Sequence, residues 1–335
     1  MYRHLDFYDG GPVPNLIVLL VSLIASFAAF GQSASPDFPT KPIRLVVPSP
    51  PGGTLDLVAR LLALALAKEL GANVVVDNRG GAGGSIGSDI VAKAAPDGYT
   101  VLLADGSALA INTTLRNDLP FDAQRDLMPL ALVARFPFLL LATPTFAPTS
   151  VAELVKLGKA APGTISYASP GIGTPQHLGG AMLSSMAGIE LVHVAYKGGG
   201  PVLTDLLGGQ VPVAFVGMPP ALTHVKSSKL KALAISSEKR SPLLSNVPTL
   251  VESGYPKFEA HIWFGFFAPA GVPPAIAARL EEAARRALAD TELRVKVAEQ
   301  GVEILAQPSA ALAAYLSSET RKWGELVKST GAAAK

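Results

Sequence analysis

The chain contains no cysteine, which excludes disulfides, thiolate metal sites and cysteine nucleophiles together. Histidine is nearly as scarce. His4, His177, His193, His224 and His261 are scattered, with no HExxH-type pair, so no metal site is expected. Charged residues make up only 16% of the 335, and the formal net charge of +2 has no basic clusters behind it, which excludes a nucleic-acid footprint. An acid/base set around a clear nucleophile is missing. What remains is a chain with 49% hydrophobic residues, long enough to fill two domain cores. A small, specific partner is the expectation for such a chain, without a cofactor.

One long apolar run is present, at residues 16–30, followed by the small residues Gly31, Ser33, Ala34 and Ser35. It has signal-peptide length and is too short for a comfortable membrane span, so residues 1–34 are read as an export signal and the mature protein as periplasmic. A permanent N-terminal anchor is the alternative.

The stretch that organises the rest is Pro48-Ser49-Pro50-Pro51-Gly52-Gly53-Thr54-Leu55-Asp56. An apolar run at residues 43–47 leads in and a helix-patterned run at 57–70 leads out, so this is a turn from a buried strand into a helix. Gly52 and Gly53 lack a Cβ and open their N–H groups to close approach, and Thr54 is placed as N-cap. The first-turn N–H groups behind it would bind an anion without Arg or Lys. A plain connection, with Thr54 and Asp56 only capping, is the competing reading.

Strands and helices then alternate. Strands are expected at 73–77 and 99–104, with the glycine-rich turn Arg79-Gly80-Gly81-Ala82-Gly83-Gly84-Ser85 and a helix at 86–95 between them. Parallel strands put their following loops on one rim, which makes Asp105 and Ser107 rim candidates. Residues 136–143 cross to a second domain that repeats the grammar. A helix at 150–160 and a strand at 165–168 precede Ser169-Pro170-Gly171-Ile172-Gly173-Thr174, which opens a helix with His177 in its first turn. A strand at 191–196 ends in Lys197-Gly198-Gly199-Gly200-Pro201, and strands follow at 211–216 and 231–235. The aromatic strand 261–268 returns the chain, and residues 274–328 read as a long helical tail whose role is packing. The fold class is therefore α/β with two lobes, each a mainly parallel sheet flanked by helices, hinged between residues 38–143 with 265–335 and residues 144–264.

Several motifs occur together and in order: Pro48-x-Pro-Pro-Gly-Gly-Thr, Asn78-Arg79-x-Gly-Ala-Gly-Gly, Ala95-Pro96-Asp97-Gly98-Tyr99-Thr100, Gly171-x-Gly-Thr-x-x-His177-Leu, Tyr196-Lys197-Gly198, Asp205-Leu-Leu-Gly-Gly-Gln210 and Phe267-Ala-Pro-Ala-Gly271. From about residue 39 to the tail the chain resembles the Bug family of periplasmic solute-binding proteins, receptors related to the tripartite tricarboxylate transporters. The resemblance implies a two-lobed, non-enzymatic receptor, expected as a monomer, that takes a small organic carboxylate and delivers it to membrane transporter subunits. It also implies that the carboxylate sits between two loops, held by backbone N–H groups, hydroxyls and waters. The matching positions here are Ser49, Pro51, Gly52, Gly53 and Thr54 in one lobe and Ser169, Gly171, Gly173 and Thr174 in the other. Ser49 stands where an aromatic is common, Gly80 where proline is common, and Val216-Gly217 where many relatives carry Asp followed by a polar residue. Val216 is accordingly placed at a strand end near the cleft, leaving the ligand's remainder neutral or apolar. His177 could pack between lobes or touch ligand, Lys197 could add charge at the rim or be solvated, and Trp263, Phe264, Phe266 and Phe267 read as core and hinge packing.

The rival reading is an α/β enzyme holding a dinucleotide at Gly81-Ala82-Gly83-Gly84-Ser85-Ile86-Gly87. Its spacing is G-x-G-x-x-x-G, the third fingerprint position is Ile86, and the turn follows the second strand rather than the first.

The export reading fixes one outcome. N-terminal sequencing of protein from a periplasmic fraction should give a first residue between about 31 and 38, as small residues after the apolar run direct. Intact Met1 on a membrane-bound form would overturn it.

Overall fold

Two crossing strands carry the architecture in the computed structural model, which describes residues 38–115, 118–258 and 260–331. The expected export segment lies outside these residues. The chain begins with β1 (Ile43–Val47), α1 (Thr54–Leu70), β2 (Val74–Asn78), α2 (Ser85–Ala92) and β3 (Thr100–Asp105). β1 pairs in parallel with both β2 and β3, and Leu45, Val46 and Val47 are fully buried. That double burial explains the unbroken apolar run.

β4 (Leu127–Ala142) is 16 residues long and belongs to both halves of the sheet. Its first part, from Leu127 opposite Pro269 to Pro137 opposite His261, runs antiparallel to β9 (His261–Pro269), a strand buried at every position. From Phe138 on, β4 pairs antiparallel with β7 (Val213–Gly217) and from Leu139 with β8 (Lys231–Ile235). Between β4 and β7 come α3 (Val151–Ala160), β5 (Ile165–Ser169), α4 (Pro175–Ala187), β6 (Leu191–Ala195) and α5 (Gly199–Leu207); α6 (Met218–Lys226) follows β7. The strand order is β2-β1-β3-β9-β4-β7-β5-β6. The wings β2-β1-β3 and β7-β5-β6 are parallel and the middle is antiparallel, which brings the loops after β1, β3, β5 and β6 to the strand C-termini expected for ligand loops. Residues from Pro39 on are not divided further by their backbone contacts.

Two expectations are corrected. Thr54 is the first residue of α1 and not its cap; Gly53 occupies the cap position with φ −84° and ψ 173°, and no side chain caps there. The expected helical tail is interrupted. After α7 (Pro274–Ala287) and α8 (Thr291–Ala298) comes β10 (Glu303–Pro308), antiparallel to β4, and only then α9 (Ser309–Thr330). β10 is partly exposed and has a register shift between Ile304 and Gln307, with Ala306 at φ 49°, so it lacks the alternation that marks a strand.

The aromatic strand proves to be packing, as its composition suggested: Trp263, Phe264, Phe266 and Phe267 are all buried, and Trp263 meets Tyr315 edge to face. Trp263 also sets the turn after β3, because a Cβ on Gly106 would lie 2.3 Å from its Nε1 and 2.6 Å from its Cε2. Gly106→Ala should therefore destabilise by about 1–3 kcal/mol through overpacking. Denaturant melts of the two proteins test it, and equal midpoints would show that Trp263 moves aside freely.

Candidate functional site

The loop between β1 and α1 is held by one carboxylate. Asp56, 4% exposed, accepts from the Gly52 N–H at 2.9 Å, from Arg60 Nε at 3.0 Å and from Asn78 Nδ2 at 3.0 Å. Asn78 Nδ2 also donates to the Ser49 carbonyl at 3.2 Å, and Arg60 Nη2 donates to Asn78 Oδ1 at 3.2 Å. Burial pushes the Asp56 carboxyl up, but the bonds from Arg60, Gly52 and Asn78 together hold it below the usual range. The anion that answers the start of α1 is thus internal, and it answers only the Gly52 N–H. Those of Gly53, Thr54, Leu55 and Asp56 have no acceptor among the described residues. Nothing lies within 4 Å of where a Cβ on Gly52 or Gly53 would be. Four outward N–H groups at the positive end of a 17-residue helix, behind an open loop, can hold an anion by hydrogen bonds alone.

The glycine-rich turn after β2 supports this loop rather than opening a second pocket. A Cβ on Gly80 would sit 3.1 Å from Pro50, one on Gly87 2.8 Å from Pro48 Cα, and one on Gly84 2.8 Å from Ala108. A pyrophosphate would need that same space, so these glycines serve close packing and not a dinucleotide.

In the other half, the loop after β5 is satisfied from within. Ser169, fully buried, bonds His193 Nε2 at 2.7 Å and accepts from the Gly171 N–H at 3.2 Å. The Gly173 N–H donates to His177 Nδ1 at 3.3 Å, and Thr174 caps α4, accepting from the His177 N–H as its hydroxyl suggested. The rings of His177 and His193 stack with centroids 4.1 Å apart. Burial lowers the His177 pKa to about 4; burial and then the neighbouring His177 lower His193 to about 4 as well. His177 therefore braces the loop from beneath. Open backbone in this half lies one loop further on: the Gly198 N–H is bonded to Pro170 O at 2.8 Å, while Gly199 and Gly200 start α5 with nothing within 4 Å of a Cβ. Lys197 beside them is exposed.

Asp105 accepts from the Ser107 and Ala108 N–H groups at 2.9 and 3.2 Å, which commits its Oδ1 to the turn behind it; desolvation pushes its pKa up against those bonds. Val216 is corrected outright. It is 1% exposed and packs in a core cluster with Leu139, Met218 and Leu222, so it faces no ligand and reports nothing about one. Asn112 escaped the sequence reading. It is 6% exposed, with Nδ2 donating to the Gly83 carbonyl at 2.9 Å. A separate cavity of about 640 Å³ lies where β4 and β9 meet, lined by Arg135, Phe136, Lys239, Arg240, His261 and Glu303 among others, and by none of the expected site residues. Its guanidinium groups are already paired, Arg135 with Glu303 and Arg240 with Glu252, each at 2.8 Å.

Comparison with known proteins gives one consistent answer. The family model described as "Tripartite tricarboxylate transporter family receptor" matches residues 58–332. The chain is 38% identical to protein BugT of Bordetella pertussis over 319 residues, covering 93% of this chain and 98% of the relative. Among solved structures it resembles an R. palustris protein with adipate (33% identity, TM-score 0.82, 88% of this chain and 98% of that one). It also resembles MatC from Rhodopseudomonas palustris with bound malate (31% identity, TM-score 0.78, 87% and 100%).

The stacked histidines generate a pH prediction. Their folded pKa values, about 4, lie below the unfolded value of 6.5, so between these limits the unfolded chain binds more protons. Their contribution is complete above pH 6.5, falls as the pH drops from there, and levels off below 4. For His177 alone the loss approaches roughly 3 kcal/mol. His261, lowered to about 3 by burial, Arg135 and Lys322, acts in the same direction. Urea melts from pH 7 to 4 should show a shallower decline for His177→Asn/His193→Gln than for the parent, and parallel curves would remove the pair from the balance.

Proposed function

We propose, because this chain belongs to the tripartite tricarboxylate transporter receptor family, that it is an exported receptor which captures a small organic carboxylate between two lobes and passes it to membrane transporter subunits. Receptors, not enzymes, are what its family and structural neighbours are. The lobes are residues 38–143 with 265–335 and residues 144–264, joined through β4 and β9. The observation that carries the reading is the start of α1, where four N–H groups have no acceptor among the described residues behind the open Gly52-Gly53 turn. A carboxylate oxygen there receives charge-assisted bonds of about 1.5–3 kcal/mol each. From the other lobe, the Gly199 and Gly200 N–H groups, which have no acceptor among the described residues, and Lys197 are assigned to the same carboxylate. That adipate and malate occupy two of the similar structures supports the class.

The ligand's remainder is neutral or apolar. Val216 does not support this, but the two rim acids do, since Asp56 is saturated by Arg60, Asn78 and Gly52 and Asp105 has Oδ1 committed to its own turn. A buried ammonium without a fully available carboxylate to pair with costs several kcal/mol. A thermal-shift screen of small carboxylates including adipate and malate, followed by calorimetry on acids and their α-amino analogues, tests both points. The plain acids should bind at least tenfold tighter. Gly53→Val, whose side chain enters open space at an extended φ, should keep the melting temperature and lose at least tenfold in affinity. Tighter binding of the amino analogues, or unchanged affinity in Gly53→Val, would overturn the assignment.

A further inference from the structure

Gly173 is the point at which the loop after β5 meets the turn that follows β3. A Cβ at this position would lie 2.7 Å from Leu115 Cδ1, 3.4 Å from Asn112 Oδ1 and 4.0 Å from Ile111 Cγ2, all from the other half of the sheet. Its own N–H is turned away to His177 Nδ1, so the bare Cα face, and not the amide, is what looks across. Asn112 fixes the facing surface. Its Nδ2 donates to the Gly83 carbonyl at 2.9 Å and approaches Ser85 Oγ at 3.4 Å, and because a carbonyl can only accept, the carboxamide is oriented with Oδ1 toward Gly173. The short helical turn Asn112–Leu115 is pressed from behind by α9, where a Cβ on Gly324 would touch Thr114 Cγ2 at 2.8 Å. α9 packs on α4 as well, so one helix backs both sides of the contact.

We infer that Asn112 and Leu115 are positioning residues, forming a fixed seat onto which Gly173 closes, and that residue 173 must be glycine so that the lobes can meet, not so that a ligand can reach its N–H. This rests on the receptor reading for its purpose, but the contact is a property of the protein without ligand. Packed surfaces change state by meeting or parting, so a single methyl at a contact this close shifts the population toward the parted form.

The absence of native cysteine permits a clean measurement. Cysteines introduced at Leu64 on α1 and Val192 on β6, 66% and 45% exposed, give one spin-label pair across the two halves. In the ligand-free protein, Gly173→Ala should transfer at least half of the short-distance population to longer distances, and Gly173→Ala/Leu115→Ala should restore most of it. Residue 173 has φ +78°, which strains alanine whatever the space, so a melting curve accompanies each variant. If Gly173→Ala does not fold, Leu115→Phe crowds the same contact from the other side and should give the same lengthening. Titration with adipate and malate should show a tenfold loss of affinity in Gly173→Ala and recovery to within about threefold in the double variant. If neither acid binds the parent, the ligand reading fails while the distances still decide the seat. An unchanged distance distribution in Gly173→Ala, or a double variant as open as the single one, would overturn the inference.

Discussion

The bond between the Asp56 carboxylate and the Gly52 N–H is the constraint on which the site depends. A helix start exposes N–H groups that need an acceptor, and most helices supply one from a capping side chain. Here the acid inside the first turn reaches back to the N–H of Gly52, just outside the helix, and to Asn78 and Arg60. Asn78 then holds the Ser49 carbonyl, so the turn between β1 and α1 is tied at both ends while its middle stays open. The packing of Gly80, Gly84 and Gly87 against Pro48, Pro50 and Ala108 is the mechanical counterpart: the second loop is glycine-rich so that it can fit beneath the first. A rigid frame around unanswered donors would let an anion bind without first ordering the loop, which would keep the entropy of ordering out of the affinity.

The two halves use different means to the same end. In the first, backbone donors are left open; in the second, Ser169, His177 and His193 close the loop after β5 on itself and leave the open donors at Gly199 and Gly200. β4 and β9 join the halves through strands buried along most of their length. The crossing is closely packed. Gly217 sits where a Cβ would meet Phe136 at 3.2 Å and Ile262 at 3.4 Å, one residue from each strand.

Much of this was legible in the sequence. Apolar runs ending in Pro and Gly marked β1, β3, β5 and β9 and the loops after them, because burial on both faces and a sharp turn each leave a local signature. The cap at Thr174 was readable for the same reason. The partner of Asp56 was not, since Asn78 lies 22 residues away and only the pairing of β1 with β2 brings it there. Val216 was misplaced by one step of strand parity: its side chain enters the core and Gly217 faces the crossing, and parity follows from register rather than from composition. β10 was hidden by its bulge and partial exposure, and Asn112 by lying in a short polar turn with no periodic neighbour.

The claim that the open start of α1 is the anion site is tested most directly by nitrogen-15 spectra of glycine-labelled protein titrated with adipate and with malate. The account requires a large downfield shift of the Gly53 amide and of Gly199 or Gly200. Gly52, whose N–H stays on Asp56, should change little. Spectra in which Gly53 is unmoved while Gly301, on the wall of the 640 Å³ cavity, carries the largest change would place the ligand at the β4–β9 crossing and contradict the account.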